Sequence, residues 1–173
     1  MRRALVLAVA CLLLPLWAGS PAQAAQGTIT DPRDPALPGE MDLLRVVIKN
    51  GEQRVAVRVE FRNIRRDRRA RTKVLVDPRP RDDHQYLVSW VHRPSKGTRA
   101  RLEVATDQEF GGDPIPCAGL VAGWNFKTDV VRVSVPHDCF AEDARTYRFK
   151  AVAGFWTPGG LGDYTRFLNV RRG

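Results

Sequence analysis

The segment RVAVRVEFR, residues 54–62, restricts this chain more than any other stretch, because every second residue turns apolar. Val55, Val57, Val59 and Phe61 alternate with Arg54, Ala56, Arg58, Glu60 and Arg62. A side-chain period of two belongs to a strand with one face on a core and the other in water. Leu44, Val46 and Ile48 keep that period just upstream, and Asn50-Gly51-Glu52 between the two runs is hairpin chemistry, since Asn and Gly tolerate positive φ. Further strands are predicted over residues 73–77, 85–92, 99–106, 120–126, 130–135, 147–153 and 164–170. Pro78, Pro80, Pro94, Gly97, Pro136, Pro158, Gly159 and Gly160 punctuate the chain between them. No stretch keeps helical spacing over three turns, and residues 141–146 have room for one turn only. The expected fold class is all-β: a single antiparallel β-sandwich, jelly-roll-like, of about eight or nine strands with one disulfide.

The N-terminal residues are set apart from that fold. Arg2 and Arg3 precede an apolar run over residues 4–18, and Ala22-Gln23-Ala24 then offers small residues where a signal peptidase reads, so cleavage is expected before Ala25. The run is short for a membrane span, which takes about 20 residues, and Pro15 interrupts it. Three segments follow: a signal peptide at 1–24, an extended, flexible-looking entry at 25–42 with Pro32, Pro35 and Pro38, and a β-sandwich domain at 43–173. The expectation is a secreted, extracellular monomer that is not an integral membrane protein.

Cys11 leaves with the leader, so Cys117 and Cys139 remain and are expected to pair in an oxidising compartment. A hairpin of 120–126 with 130–135, turning at Lys127, Thr128 and Asp129, sets both cysteines equally far from Thr128, opposite each other at its mouth. Closing that loop of about 22 residues stabilises the fold by roughly 3 kcal/mol on the chain-entropy account. No C-x-x-C pair suggests redox work, and a zinc site would need four ligands where His137-Asp138-Cys139 is the nearest approach.

Catalytic chemistry finds little support in the residues. The serines Ser89, Ser95 and Ser134 lie in no G-x-S-x-G elbow, and Ser89 and Ser134 read as outward strand positions. His84, His92 and His137 fall in loops or at strand ends. Glu60, Glu103, Asp107, Glu109 and Asp113 are the acids expected of a solvated surface, so no catalytic residue is assigned. Calcium is the cofactor to consider, because DPRDPALPGEMD places Asp31, Asp34, Glu40 and Asp42 together, with Asp77 as a further ligand. The spacing is not that of an EF-hand, and Asx turns at the prolines with Asp42 capping the sheet edge explain the same acids.

Charge supplies the strongest ligand signal. The net charge of +9 falls to +7 once Arg2 and Arg3 leave, which attracts polyanions in general. Arginines scattered over a wet surface explain much of it. The run RNIRRDRRARTK concentrates Arg65, Arg66, Arg68, Arg69 and Arg71 against Asp67 alone, in what reads as a solvated loop able to bind glycan sulfates, anionic wall polymers or lipid headgroups. Nucleic acid is not an expected partner of an exported protein. Among aromatics, Trp90, Trp124, Tyr86 and Tyr164 sit on strands and the first three read as core, whereas Trp156 in a Pro-Gly-rich loop is the expected sugar-stacking residue.

The stretches DPRDPALPGEMDLLRVVIKN, VLVDPRP and LVAGWNFKTDVVRVSVPHDC, with an Arg-ended tail, resemble a group of small exported actinobacterial proteins of unknown function. The Asp-rich entry and the long alternating strand are also similar to β-sandwich modules of the carbohydrate-binding and DOMON-like kind, which implies a module that binds sugars, calcium or haem. The Met and His pair of a haem-binding member is not evident, since Met41 is the methionine left after processing. The reading is thus a non-enzymatic secreted β-sandwich that binds a carbohydrate or an anionic cell-surface polymer. Two alternatives stay open: a secreted hydrolase with a site assembled from distant residues, and a structural or inhibitory partner of another exported protein.

Overall fold

Alternation along the chain is matched by alternation in space. A computed structural model describes residues 24–79, 85–105, 112–141, 144–154 and 162–173. They form β1 (Ala25–Thr30), β2 (Leu43–Asn50), β3 (Arg54–Phe61), β4 (Ala70–Arg79), β5 (Gln85–Arg93), β6 (Gly97–Ala105), β7 (Pro114–Ile115), β8 (Val121–Asn125), β9 (Val130–Pro136), a single 3-10 turn at His137–Cys139, β10 (Thr146–Gly154), β11 (Gly162–Tyr164) and β12 (Leu168–Arg171). One sheet runs β1-β2-β3-β9-β8; the other runs β11-β10-β4-β5-β6-β7, with β12 also paired to β10. Every described strand pairing is antiparallel. The chain passes from one sheet to the other at β3–β4, β7–β8 and β9–β10, which makes the two layers one sandwich.

The core lies between the sheets. In β3, burial alternates without a break, with Val55, Val57, Val59 and Phe61 inside. Across from them Val74, Val76, Tyr86, Val88, Trp90, Leu102, Tyr147 and Phe149 face inward from the second sheet, Trp90 with no exposed surface. Tyr86 and Trp90 are therefore packing residues, and Trp124 joins them by stacking on Phe61 and Phe126 at ring separations of 6.2 and 6.3 Å.

Five details of the sequence expectations are refined or corrected here. Residues 25–30 of the entry form β1, paired with β2 along six residues, although Ala-Gln-Gly-Thr-Ile-Thr shows little apolar alternation. Gly27 lets β1 come close to β12: a Cβ there would stand 2.5 Å from Leu168 Cδ2. In β2 a bulge between Leu43 and Arg45 shifts the phase, so Leu43 and not Leu44 joins Val46 and Ile48 inside. The last strand is two, because Thr165 interrupts it: its N–H donates to the Ala151 carbonyl, and its hydroxyl takes the Ala151 N–H at 3.0 Å in place of a ladder carbonyl. With β1, the short β7 and this split, the described strands number twelve against the eight or nine expected. The helical turn sits at His137–Cys139, ahead of the expected 141–146, where Thr146 already belongs to β10.

The disulfide joins Cys117 to Cys139, with Cα atoms 5.2 Å apart. The hairpin register pairs Val121 with Ser134 and Asn125 with Val130, so its centre falls between Lys127 and Thr128, half a residue from the expected one. Asn125 Oδ1 takes the Lys127 N–H, and Asp129 adopts a positive φ of 52° that a short polar side chain tolerates.

Candidate polyanion-binding face

The run of arginines after β3 divides into two sets. Arg65 is tied to Asp67 at 2.9 Å, and that hydrogen bond holds the Asp67 carboxyl below its ordinary range. Arg68 reaches Glu40 at 3.3 Å, while Arg66 lies over the Phe126 ring and its carbonyl accepts from His92 Nε2. Arg65 thus closes a pair within the loop, while Arg66 and Arg68 fasten the loop to residues outside it. Arg69 and Arg71 turn the other way, onto the outer face of β4, β5 and β6.

There they meet cations from distant parts of the chain. Arg69, Arg71, Arg93, Lys96, Arg99 and Arg101 line a depression of about 160 Å³, together with Ser89, Val91 and Gly97; among the described residues Glu103 is its one acid. Register explains the convergence: Arg71 pairs with Val91 and Val91 with Arg99, so two arginines flank one valine. One row along, Lys73 and Arg101 flank Ser89, whose hydroxyl lies 3.5 Å from Glu103 Oε1. Arg71 Nε is shielded from solvent and has no hydrogen-bond partner among the described residues. Neighbouring strands are about 4.8 Å apart, so these cations stand roughly 10 Å from one another across the face and about 7 Å along it. Like charges at such spacing repel, and an anion placed between them is attracted by both.

The same row continues to an aromatic ring. From Arg101 it runs through Ser89, Lys73 and Val152 to Tyr164, four strand spacings or about 19 Å. Tyr164 is 65% exposed, Lys150 Nζ lies 4.8 Å from its ring centre, and Phe167 next to it is 41% exposed. Of the strand aromatics singled out in the sequence, Tyr164 is the one that offers a face to solvent. Trp156 lies outside the described residues, as do His84, Asp107 and Glu109.

The acids named as calcium ligands are not brought together as a set. Asp77 belongs to β4 and is paired with Arg148, whose Nε donates at 2.7 Å. Asp34 Oδ1 takes the Ala36 N–H as an Asx turn. Asp42 is fully buried, receives the Asp34 N–H and has Arg62 Nε 3.2 Å away. Asp31 is hydrogen-bonded to Asp163, a residue the sequence reading passed over. Burial raises the Asp163 carboxyl to about 6, helped by the charges of Asp31 and Asp42 and opposed by N–H bonds from Leu43 and Tyr164. Burial also raises Asp31. Among the described residues no group of three or more His, Cys, Asp or Glu side chains is arranged to hold a metal ion.

The serines and histidines are engaged elsewhere. Ser134 Oγ accepts from Arg54 Nε at 2.8 Å, His92 serves the Arg66 carbonyl, and His137 Nε2 serves that of Gly51. Among the described residues no helix is long and apolar enough to cross a membrane.

Fold and face together define a disulfide-linked β-sandwich with a cationic outer sheet. The sequence matches no protein-family model and no curated protein.

Proposed function

We propose that this protein is a secreted, non-enzymatic module that binds an anionic polysaccharide or similar wall polymer along the outer face of β4, β5 and β6. The observation that carries the reading is the depression around Arg71, lined among the described residues by six cations and one acid, Glu103. Exposed Tyr164, beyond the buried Ser89, Lys73 and Val152 of the same register row, adds a separate surface on which a sugar ring can stack. Charge complementarity of this kind raises the association rate and makes binding sensitive to salt.

Retention on a heparin column, measured as the salt needed for elution, tests it. Replacing Arg71, Arg99 and Arg101 by Gln is expected to lower that salt well below the value for a control in which Arg33, Arg145 and Arg171 become Gln. Both triple variants lose the same charge. Equal shifts would mean that net charge alone holds the protein, and the assignment of this face would fail.

A further inference from the structure

The opposite outer face, on β2, β3, β9 and β8, carries a different opening. It is a groove of about 560 Å³, built where small residues interrupt a row of long ones. One cross-strand row reads Lys49, Ala56, Ser134, Val121, and the next reads Val47, Arg58, Arg132, Gly123. Ala56, Ser134 and Gly123 keep the floor low. Val47, Val121 and the methylene stems of Lys49, Arg58 and Arg132 form apolar walls, since long cationic side chains lay their stems on apolar surface and keep their heads wet. Val121 is 61% exposed, which leaves the wall of this groove open to a ligand.

Charge decides what kind of ligand fits. Arg58 and Arg132 are directly opposite on neighbouring strands, and Arg58 is neutralised by Glu60. Arg132 and Lys49 have no ion pair or hydrogen bond among the described residues. An apolar trough with unneutralised cations at its margin complements a molecule that is aliphatic along its length and anionic at one end. A second copy of this chain is a poor occupant, because it would bring the same cations against these. A sugar is a poor one too, because no aromatic ring among the described residues lines the groove.

We propose that this groove binds an unbranched aliphatic chain ending in an anionic group, with Ala56, Ser134 and Gly123 beneath the chain, Lys49 at its head and Arg132, two strands from Lys49, along its flank. From Lys49 to Val121 the row covers three strand spacings, about 14 Å, which matches an extended chain of medium length.

Gly123 offers a clean test. A Cβ built there meets nothing within 4 Å, and the residue does not need a positive φ, so Gly123→Val fills the groove without straining the strand. Calorimetric titration of the purified chain with dodecanoate is expected to show binding, with dodecanol and butyrate each at least about tenfold weaker. Gly123→Val should weaken dodecanoate about tenfold or more with an unchanged melting temperature. Lys49→Gln with Arg132→Gln should weaken dodecanoate and leave dodecanol as it was. The proposal is overturned if dodecanoate produces no binding, if dodecanol binds as well as dodecanoate, or if Gly123→Val has no effect. It is equally overturned if polyglutamate binds as tightly as dodecanoate in the wild type and in Gly123→Val alike, which would reveal a charged surface only. A concentration-dependent dimer that Gly123→Val abolishes, seen without dodecanoate binding, would assign the groove to a second copy.

Discussion

Replacing Asp163 by Asn should make the protein gain stability relative to wild type as the pH rises from acid to neutral. Asp163 Oδ2 accepts the Leu43 N–H at 2.7 Å and Oδ1 the Tyr164 N–H at 2.8 Å, so β11 is held to the start of β2 across the sandwich. Yet the carboxyl shares its surroundings with Asp31 and Asp42, and burial with those charges raises it to about 6. The folded protein thus keeps a proton that the unfolded chain gives up near 3.8. Its contribution to stability is complete below about pH 4 and is lost as pH rises through about 6. A shift of about 2 units is worth about 3 kcal/mol for an enclosed group. Asp163 is only partly buried, and solvent screening reduces that to about 1 kcal/mol. Asparagine keeps the acceptor for Leu43 and can donate to Asp31, but it gives up the acceptor for the exposed Tyr164 N–H, a loss that is the same at every pH. Relative to wild type the variant should therefore gain about 1 kcal/mol between about pH 4 and pH 7, or about 2–4 °C in melting temperature. Urea unfolding of both proteins at steps between about pH 4 and pH 7 measures the difference directly. A gap that stays constant across that range would show that the carboxyl does not titrate in the folded state, and the reasoning would be wrong.

Three other outcomes are expected. Changing Cys117 and Cys139 to Ser opens a loop of 22 residues and should cost about 3 kcal/mol, read as a lower urea midpoint than in the oxidised protein. Gly39→Ala should cost about 1–3 kcal/mol, since its Cβ would lie 2.9 Å from the Asn63 carbonyl oxygen and backbone must move to admit it; a neutral result would mean that the 39–63 contact is looser than drawn. Trp90→Ala should cost about 3–5 kcal/mol in chemical denaturation, because the indole is fully buried between the sheets.

Much of the fold can be read from residue pattern alone, and the reasons are visible at particular positions. Strands β3, β9 and β10 announce themselves because burial alternates along them, whereas residues 86–90 of β5 are buried on both faces. The disulfide follows from hairpin register, which sets Cys117 and Cys139 opposite each other. Strand β1 does not announce itself: it lies at a sheet edge, where Gln26, Gly27 and Thr28 satisfy backbone pairing with little apolar side chain to bury. Thr165 hides the break between β11 and β12 for a related reason, since its hydroxyl replaces a backbone group and a β-branched residue looks like strand either way.

The candidate face is harder to read, because binding surfaces depend on neighbours and a one-dimensional pattern reports only sides. Arg99, Arg101 and Glu103 alternate with Ala100, Leu102 and Val104, and this predicts that the first three point outward. Nothing in that alternation says that Arg71 lies two strands away, or that Tyr164 ends the same row. Those facts come from pairing sums: residues 71 and 91, then 91 and 99, then 152 and 164. Local charge density pointed instead to Arg65 and Arg68, where acids were within reach and neutralised them. A cluster contiguous in sequence can recruit its own counter-ions through loop flexibility. Cations spaced by strand register are fixed in place, and those without an acid beside them keep their field for a ligand.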